Sequence, residues 1–269
     1  MQPLKEIRTR NLSKSFSGLT AVNSVDFRLE NELCALIGPN GAGKTTFFDL
    51  ITGELEPTAG SIEFRTDDGW LDITNKDISQ ITKLGLHRSY QLTNIFPGKT
   101  VLENVRIAAQ AQSTDSFRIW RNVNAFEEYI QEAHQILNRT GLADQSEMTA
   151  ENLSHGEKRQ LEISIALAGD PDVLLLDEPS AGVSSDNVQD VINLIDEVAA
   201  DHAVLLVEHN MDIVMSASER IVVLDQGEII ADDKPKEIRD NPAVQKSYLG
   251  TSEPGNPGGE GTSEAEGST

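Results

Sequence analysis

Gly38-Pro39-Asn40-Gly41-Ala42-Gly43-Lys44-Thr45 fills every fixed position of the phosphate-loop template, two glycines bracketing a short variable stretch and then Lys and Thr. Glycines in such a loop let successive backbone N–H groups converge on phosphate oxygens. Lys44 would reach the β and γ phosphates, Thr45 would offer its hydroxyl to Mg²⁺, and Thr46 continues the phosphate-facing set. A second group is Val173-Leu174-Leu175-Leu176-Asp177-Glu178-Pro179, an apolar run that ends in adjacent carboxylates and is stopped by proline. Consecutive side chains on a strand point opposite ways, so Asp177 can approach a metal while Glu178 reaches the water that attacks a γ-phosphate. Together these residues imply binding and cleavage of Mg·ATP.

The elements that must position these groups are also legible. Leu33–Ile37, the run at 173–176 and Ala203–Val207 are continuously apolar, the pattern of parallel strands covered on both faces, and helical stretches separate them. This predicts an α/β fold whose mostly parallel core sheet binds its ligand at the carboxyl ends of the strands. Alternation over Ile7–Phe16, and residues 61–65 facing 70–73 across Asp68-Gly69, predict a small N-terminal antiparallel sheet. Strand signals vanish between about residues 96 and 168. Capping-box patterns at Thr100-Val101-Leu102-Glu103 and Ser154-His155-Gly156-Glu157 start helices there, so this stretch reads as a helical insertion subdomain. Residues 1–250 form the expected nucleotide-binding domain. Residues 251–269 contain only Gly, Pro, Ser, Thr, Glu, Asn and Ala and read as a disordered acidic tail.

Composition narrows the setting. At 269 residues, 38% hydrophobic and 25% charged, the chain is that of a globular protein, and no apolar run approaches the ~20 residues of a membrane helix. The start Met1-Gln2-Pro3-Leu4-Lys5-Glu6 has no apolar stretch after a basic segment, so a secretory signal is not expected and the cytoplasm is. The lone Cys34 sits in an apolar run and reads as a small buried residue. The net charge is −22, of which the tail supplies only Glu253, Glu260, Glu264 and Glu266. Such a field repels nucleic acid, which is not an expected partner, and repels anionic membranes. Molar salt, with a Debye length of roughly 3 Å, would relieve the self-repulsion, so a salt-rich cytoplasm like that of a halophile is expected.

With Leu153-Ser154-His155-Gly156-Glu157 ahead of the Asp177-Glu178 strand, the chain resembles ABC ATPases, whose signature reads Leu-Ser-Gly-Gly-Gln/Glu; His155 replaces the first signature glycine. The resemblance implies a P-loop ABC ATPase fold in which Ser154, Gly156 and Glu157 serve ATP held by a second, identical or homologous, ATPase subunit. Gln91 resembles the Q-loop glutamine that contacts Mg²⁺, and His209 the switch histidine that senses the γ-phosphate. Ser180-Ala181-Gly182-Val183 resembles the D-loop, which crosses the dimer interface. Phe16 resembles the A-loop aromatic that stacks on adenine, worth roughly 1–3 kcal/mol; a core aromatic is the alternative.

Two stretches, Ser17-Gly18-Leu19-Thr20-Ala21-Val22 and Glu208-His209-Asn210-Met211-Asp212-Ile213-Val214-Met215, with the ending Tyr248-Leu249-Gly250, look like ATPase subunits of branched-chain amino acid importers. Urea importer subunits are similar. The resemblance implies transmembrane permease subunits as partners, a solute-binding protein indirectly, and a place on the cytoplasmic face of the cell membrane. A urea or amide importer subunit, a lipid exporter ATPase and a soluble ABC ATPase of iron–sulfur cluster assembly are the alternatives.

Overall fold

A computed structural model describes residues 6–89, 95–112, 123–183 and 188–249. Gln91 and the tail from residue 250 onward lie outside the described residues. In chain order the elements are β1 (Ile7–Phe16), β2 (Leu19–Leu29), β3 (Leu33–Ile37), α1 (Lys44–Ile51), β4 (Ala59–Thr66), β5 (Gly69–Asp72), α2 (Ile78–Thr82) and β6 (Leu86–Ser89). There follow α3 (Val101–Gln112), α4 (Val123–Arg139), α5 (His155–Leu167), β7 (Val173–Asp177), α6 (Val188–Ala199), β8 (Ala203–Val207) and α7 (Met211–Ala217). The chain closes with β9 (Arg220–Asp225), β10 (Glu228–Asp233), α8 (Pro235–Arg239) and α9 (Pro242–Leu249).

The strands form two sheets. One is antiparallel, in the order β2-β1-β4-β5, and the other runs β10-β9-β3-β8-β7-β6. In the second sheet β9, β3, β8, β7 and β6 pair in parallel, and β10 folds back antiparallel on β9. Every residue of β3, β7 and β8 is buried, which is why their sequences are apolar without alternation up to Asp177 at the end of β7. Between the two sheets lies α1, whose Phe47, Phe48, Leu50 and Ile51 are buried, and the Phe47 ring meets Phe27 of β2 edge-on at 5.4 Å. The opposite face of the large sheet is covered by a second apolar cluster drawn from α3, α4, α5 and α6.

Both expected capping boxes are formed. Thr100 N–H donates to Glu103 at 2.9 Å and Glu103 N–H returns to the Thr100 hydroxyl at 3.1 Å, starting α3. Ser154 and Glu157 exchange the same pair of bonds at 2.8 and 3.3 Å at the start of α5. The hairpin β4–β5 turns through Asp67-Asp68, one residue ahead of the expected Asp68-Gly69, because Gly69 already pairs with Thr66 as the first residue of β5; Arg65 stands opposite Trp70. Several elements, β2 and α7 to α9 among them, lack an expectation in the sequence, and two of them bear on the core sheet. One is β6, and the other is the β9–β10 hairpin, which turns through Gln226 and Gly227, both at positive φ.

Candidate nucleotide site

The register of the core sheet brings the chemistry to one edge. Val207, the last residue of β8, is level with Leu36 of β3 on one side and Asp177 of β7 on the other. The chain therefore leaves three neighbouring strands at the same height, as the phosphate loop, as Glu178 and as Glu208-His209. A cleft at this edge is lined by Asn40, Gly41, Ala42, Gly43, Lys44, Thr45 and Thr46 together with Glu178 and His209.

Gly43 caps α1 at φ 105°, a left-handed conformation that an L side chain rarely adopts, and a Cβ there would stand 2.2 Å from the Ala21 carbonyl oxygen. The glycine is thus required by the close approach of β2 as well as by the turn. It turns the first N–H groups of α1 into the cleft with no side-chain cap competing for them, a ready anion site. Lys44 is buried, and its ammonium donates to the carbonyls of Gly38 at 2.7 Å and Pro39 at 3.1 Å. Burial lowers its pKa, opposed by the negative charges of Glu178 and Asp177.

At the end of β7 the two carboxylates take different partners, and the expected strand alternation does not set this, because the strand stops at Asp177 and Glu178 lies in a left-handed turn. The Oδ2 of Asp177 accepts from Arg88 Nη2 at 2.7 Å, and Arg88 also binds Asp49 at 2.7 Å and Glu54 at 3.1 Å beside the C-terminal half of α1. Arg88 on β6 therefore ties the helix after the phosphate loop to Asp177. Glu178 lies in the left-handed region at φ 49°, its N–H donating to Val207 O at 2.8 Å, and its Oε1 is 2.8 Å from His209 Nε2. The Glu208 carboxylate is buried and accepts from the N–H groups of Ser180 at 2.8 Å, His209 at 3.0 Å and Asn210 at 3.2 Å. It bridges the loop after Glu178 to the loop that carries His209. Arg88 and Glu208 are absent from the sequence-level site. Arg88 is an ordinary charged residue on a short strand, whereas Glu208, a carboxylate directly after an apolar run, carried the same mark that singled out Asp177.

Phe16, at the end of β1, is 42% exposed, which sets aside the core-aromatic alternative; Lys14 Nζ lies 5.1 Å from the ring centroid. Cys34 is buried as expected, and its thiol pKa is pushed up to about 12. Ser154, Gly156 and Glu157 line a different cleft, against Pro179, Val183 and α6, and not the one lined by the phosphate loop. Hydrogen bonding from Ser154 holds the Glu157 carboxyl below its ordinary range. The His155 ring packs over Gly182, where a Cβ would stand 2.4 Å from its Cδ2. The residue that replaces the signature glycine thus occupies the space that Gly182 leaves open.

A phosphate loop, an acidic strand end and a histidine at the next strand end, on a sheet flanked by an antiparallel sheet and a helical layer, define an ATP-binding cassette. The chain belongs to the ABC transporter family: the family profile described as ABC transporter matches residues 22–181. A second profile, described as branched-chain amino acid ATP-binding cassette transporter, matches residues 228–254. The chain is 38% identical over 257 residues to the high-affinity branched-chain amino acid transport ATP-binding protein LivG of Salmonella typhimurium, covering 93% of this chain and 98% of that one. It is 36% identical to BraF of Pseudomonas aeruginosa, described in the same words, with the same coverage. The ADP conformation of MJ1267, an ATP-binding cassette of an ABC transporter, superposes with a TM-score of 0.77 at 29% identity, covering 91% of this chain and 99% of that one.

Proposed function

We propose that this chain is the ATP-hydrolysing subunit of an importer for branched-chain or related amino acids. The observation that carries the hydrolytic reading is Glu178 standing in the phosphate-loop cleft with His209 at 2.8 Å. Glu178 accepts a proton from the water that attacks the γ-phosphate, and His209 orients the Glu178 carboxylate and meets the γ-phosphate. The phosphate loop and Lys44 hold the phosphates, and Phe16 stacks on the adenine. Thr45 and Asp177, joined by Gln91, are the residues that would hold Mg²⁺, which supplies charge neutralisation on the β and γ phosphates when bound. Asp177 fits that task because Arg88 engages its Oδ2 and sets the direction of the other oxygen.

Ser154, Gly156 and Glu157 complete a site through a second subunit. Their separation from the phosphate-loop cleft within one chain supports a head-to-tail pair that encloses two ATP molecules. No helix among the described residues is long and apolar enough to cross a membrane. We assign the membrane contact to permease subunits and this chain to a peripheral position on the cytoplasmic face, as the names of the relatives support, with a solute-binding protein acting through the permease. The importer reading and its cargo rest on the match at residues 228–254 and on the names of the relatives. Affinity purification from native membranes with ATP tests it. Recovery of permease subunits, a second ATPase and an amino-acid-binding protein is expected; recovery of soluble partners alone would overturn the transporter reading and leave ATP hydrolysis standing.

The charge of −22 supports work in concentrated salt. The melting temperature is expected to rise as KCl is raised from 0.1 M toward molar levels, as the Debye length shrinks from about 10 Å to about 3 Å. A melting temperature indifferent to KCl would overturn that part of the reading.

A further inference from the structure

One buried side chain from outside the sheet touches the backbone of the Asp177-Glu178 step. Arg159 lies on α5, the helix that Ser154 caps, and is 7% exposed. Its Nη2 donates to the carbonyl oxygen of Glu178 at 2.8 Å and to that of Asp177, and its Nη1 meets Glu162 Oε2 at 2.6 Å. Glu162 is itself buried, so the guanidinium is clamped on one side by a carboxylate and offers its other edge to the two carbonyls.

These carbonyls bracket the place where a non-glycine residue stands in the left-handed region, Glu178 at φ 49°. Such a conformation persists only where the surroundings over-determine it. The N–H of Glu178 is fixed to Val207 O at 2.8 Å, and Arg159 fixes the carbonyl that follows. With both peptide groups of Glu178 held, its side chain has one direction of departure, toward His209 and the phosphate-loop cleft.

We propose that Arg159 is a positioning residue for Glu178. The guanidinium holds the Asp177-Glu178 turn in the conformation that presents the general base. Because Arg159 and Ser154 share one helix, a shift of that helix is passed directly to Glu178 of the same chain. In the head-to-tail pair this links the ATP engaged by the Ser154 end of α5 to hydrolysis at the chain's own phosphate loop. The inference rests on the hydrolytic reading of Glu178 given above.

The test compares full-length wild type, Arg159→Lys, Arg159→Met combined with Glu162→Gln, and Glu178→Gln. Lysine keeps a cation beside Glu162 and loses the planar fork; the paired substitution removes the cation without leaving a lone buried carboxylate. Steady-state ATP hydrolysis, ATP affinity and melting temperature are measured for each. Both Arg159 variants should bind ATP within about 2-fold of wild type, with KM similarly unmoved, and turn over at least 10-fold more slowly. Either one added to Glu178→Gln should slow that variant by less than 2-fold, because both act through one carboxylate. A merely structural role would lower the melting temperature without this split of kcat from KM. Wild-type turnover in the two Arg159 variants, or an effect fully additive with Glu178→Gln, would overturn the proposal while the hydrolytic reading stands. A Glu178→Gln variant as fast as wild type would overturn the reading and the proposal together.

Discussion

His209 Nε2 lies 2.8 Å from Glu178 Oε1, a contact made across the carboxyl ends of the adjacent strands β8 and β7. The pair is partly open to solvent, with side chains 49% and 33% exposed, and sits over the phosphate loop. Replacing Glu178 by Gln preserves size and one acceptor but removes the base. Turnover should fall by about 10²–10⁴-fold with ATP affinity retained. Phosphate-release kinetics beside equilibrium binding of ATP check both halves, and an unchanged rate would remove Glu178 from the chemistry.

Gly43 and Lys44 should fail in different ways. Gly43→Ala demands a left-handed alanine, roughly 1–2 kcal/mol by itself, and drives its Cβ toward the Ala21 carbonyl. The loop must shift, so both stability and ATP binding are lost. Lys44→Ala forces no change of backbone conformation, though it removes the ammonium from the Gly38 and Pro39 carbonyls, and should weaken ATP binding with a smaller change in melting temperature than Gly43→Ala. Calorimetric titration with ATP together with thermal melts separates the two.

Arg88 joins Asp49, Glu54 and Asp177. Arg88→Met leaves three carboxylates facing one another and should destabilise the fold by about 3 kcal/mol, the low end for breaking a buried pair, because Asp49 and Glu54 keep solvent contact. Arg88→Lys should recover only part of this, since one ammonium cannot reach all three with the same geometry. Denaturant unfolding at fixed salt measures both.

His87 is buried beside Gly169, and burial depresses its pKa below the ordinary 6.5, opposed by hydrogen bonding to the carbonyls of Thr82 and Ala166. The folded chain resists the proton that the unfolded chain accepts. Its stabilising contribution is therefore complete above pH 6.5 and is lost as the pH falls below that value toward the depressed one. Urea midpoints at pH 7.5 and 5.5 should differ more for wild type than for His87→Gln, and equal differences would remove His87 as the cause.

Gly169→Ala tests the same contact sterically. A Cβ at Gly169 would stand 1.8 Å from His87 Cε1. The ring must leave its place, at a cost of about 1–3 kcal/mol typical of overpacking. A variant that melts like wild type would show that the ring can move freely.

The phosphate loop, the Asp177-Glu178 step and the Ser154–Glu157 box could be read from the chain because each is a local device. Their working groups are consecutive backbone N–H groups or side chains at fixed short spacing, so covalent order alone brings them together. The three central strands were legible for a related reason, since burial on both faces leaves β3, β8 and β7 as far as Leu176 without a charged residue, and Asp177 enters only where β7 reaches the cleft. The β9–β10 hairpin was not, because Gln226 occupies a positive-φ position where Asn or Asp would have marked the turn. Only the tertiary structure decided that Val207 stands level with Leu36 and Asp177, and hence that Glu178 meets His209. It also selected Arg88 and Arg159 from among many ordinary charged residues. Their roles depend on partners far away in the chain, on desolvation and on strand register, none of which leaves a mark on the neighbouring sequence.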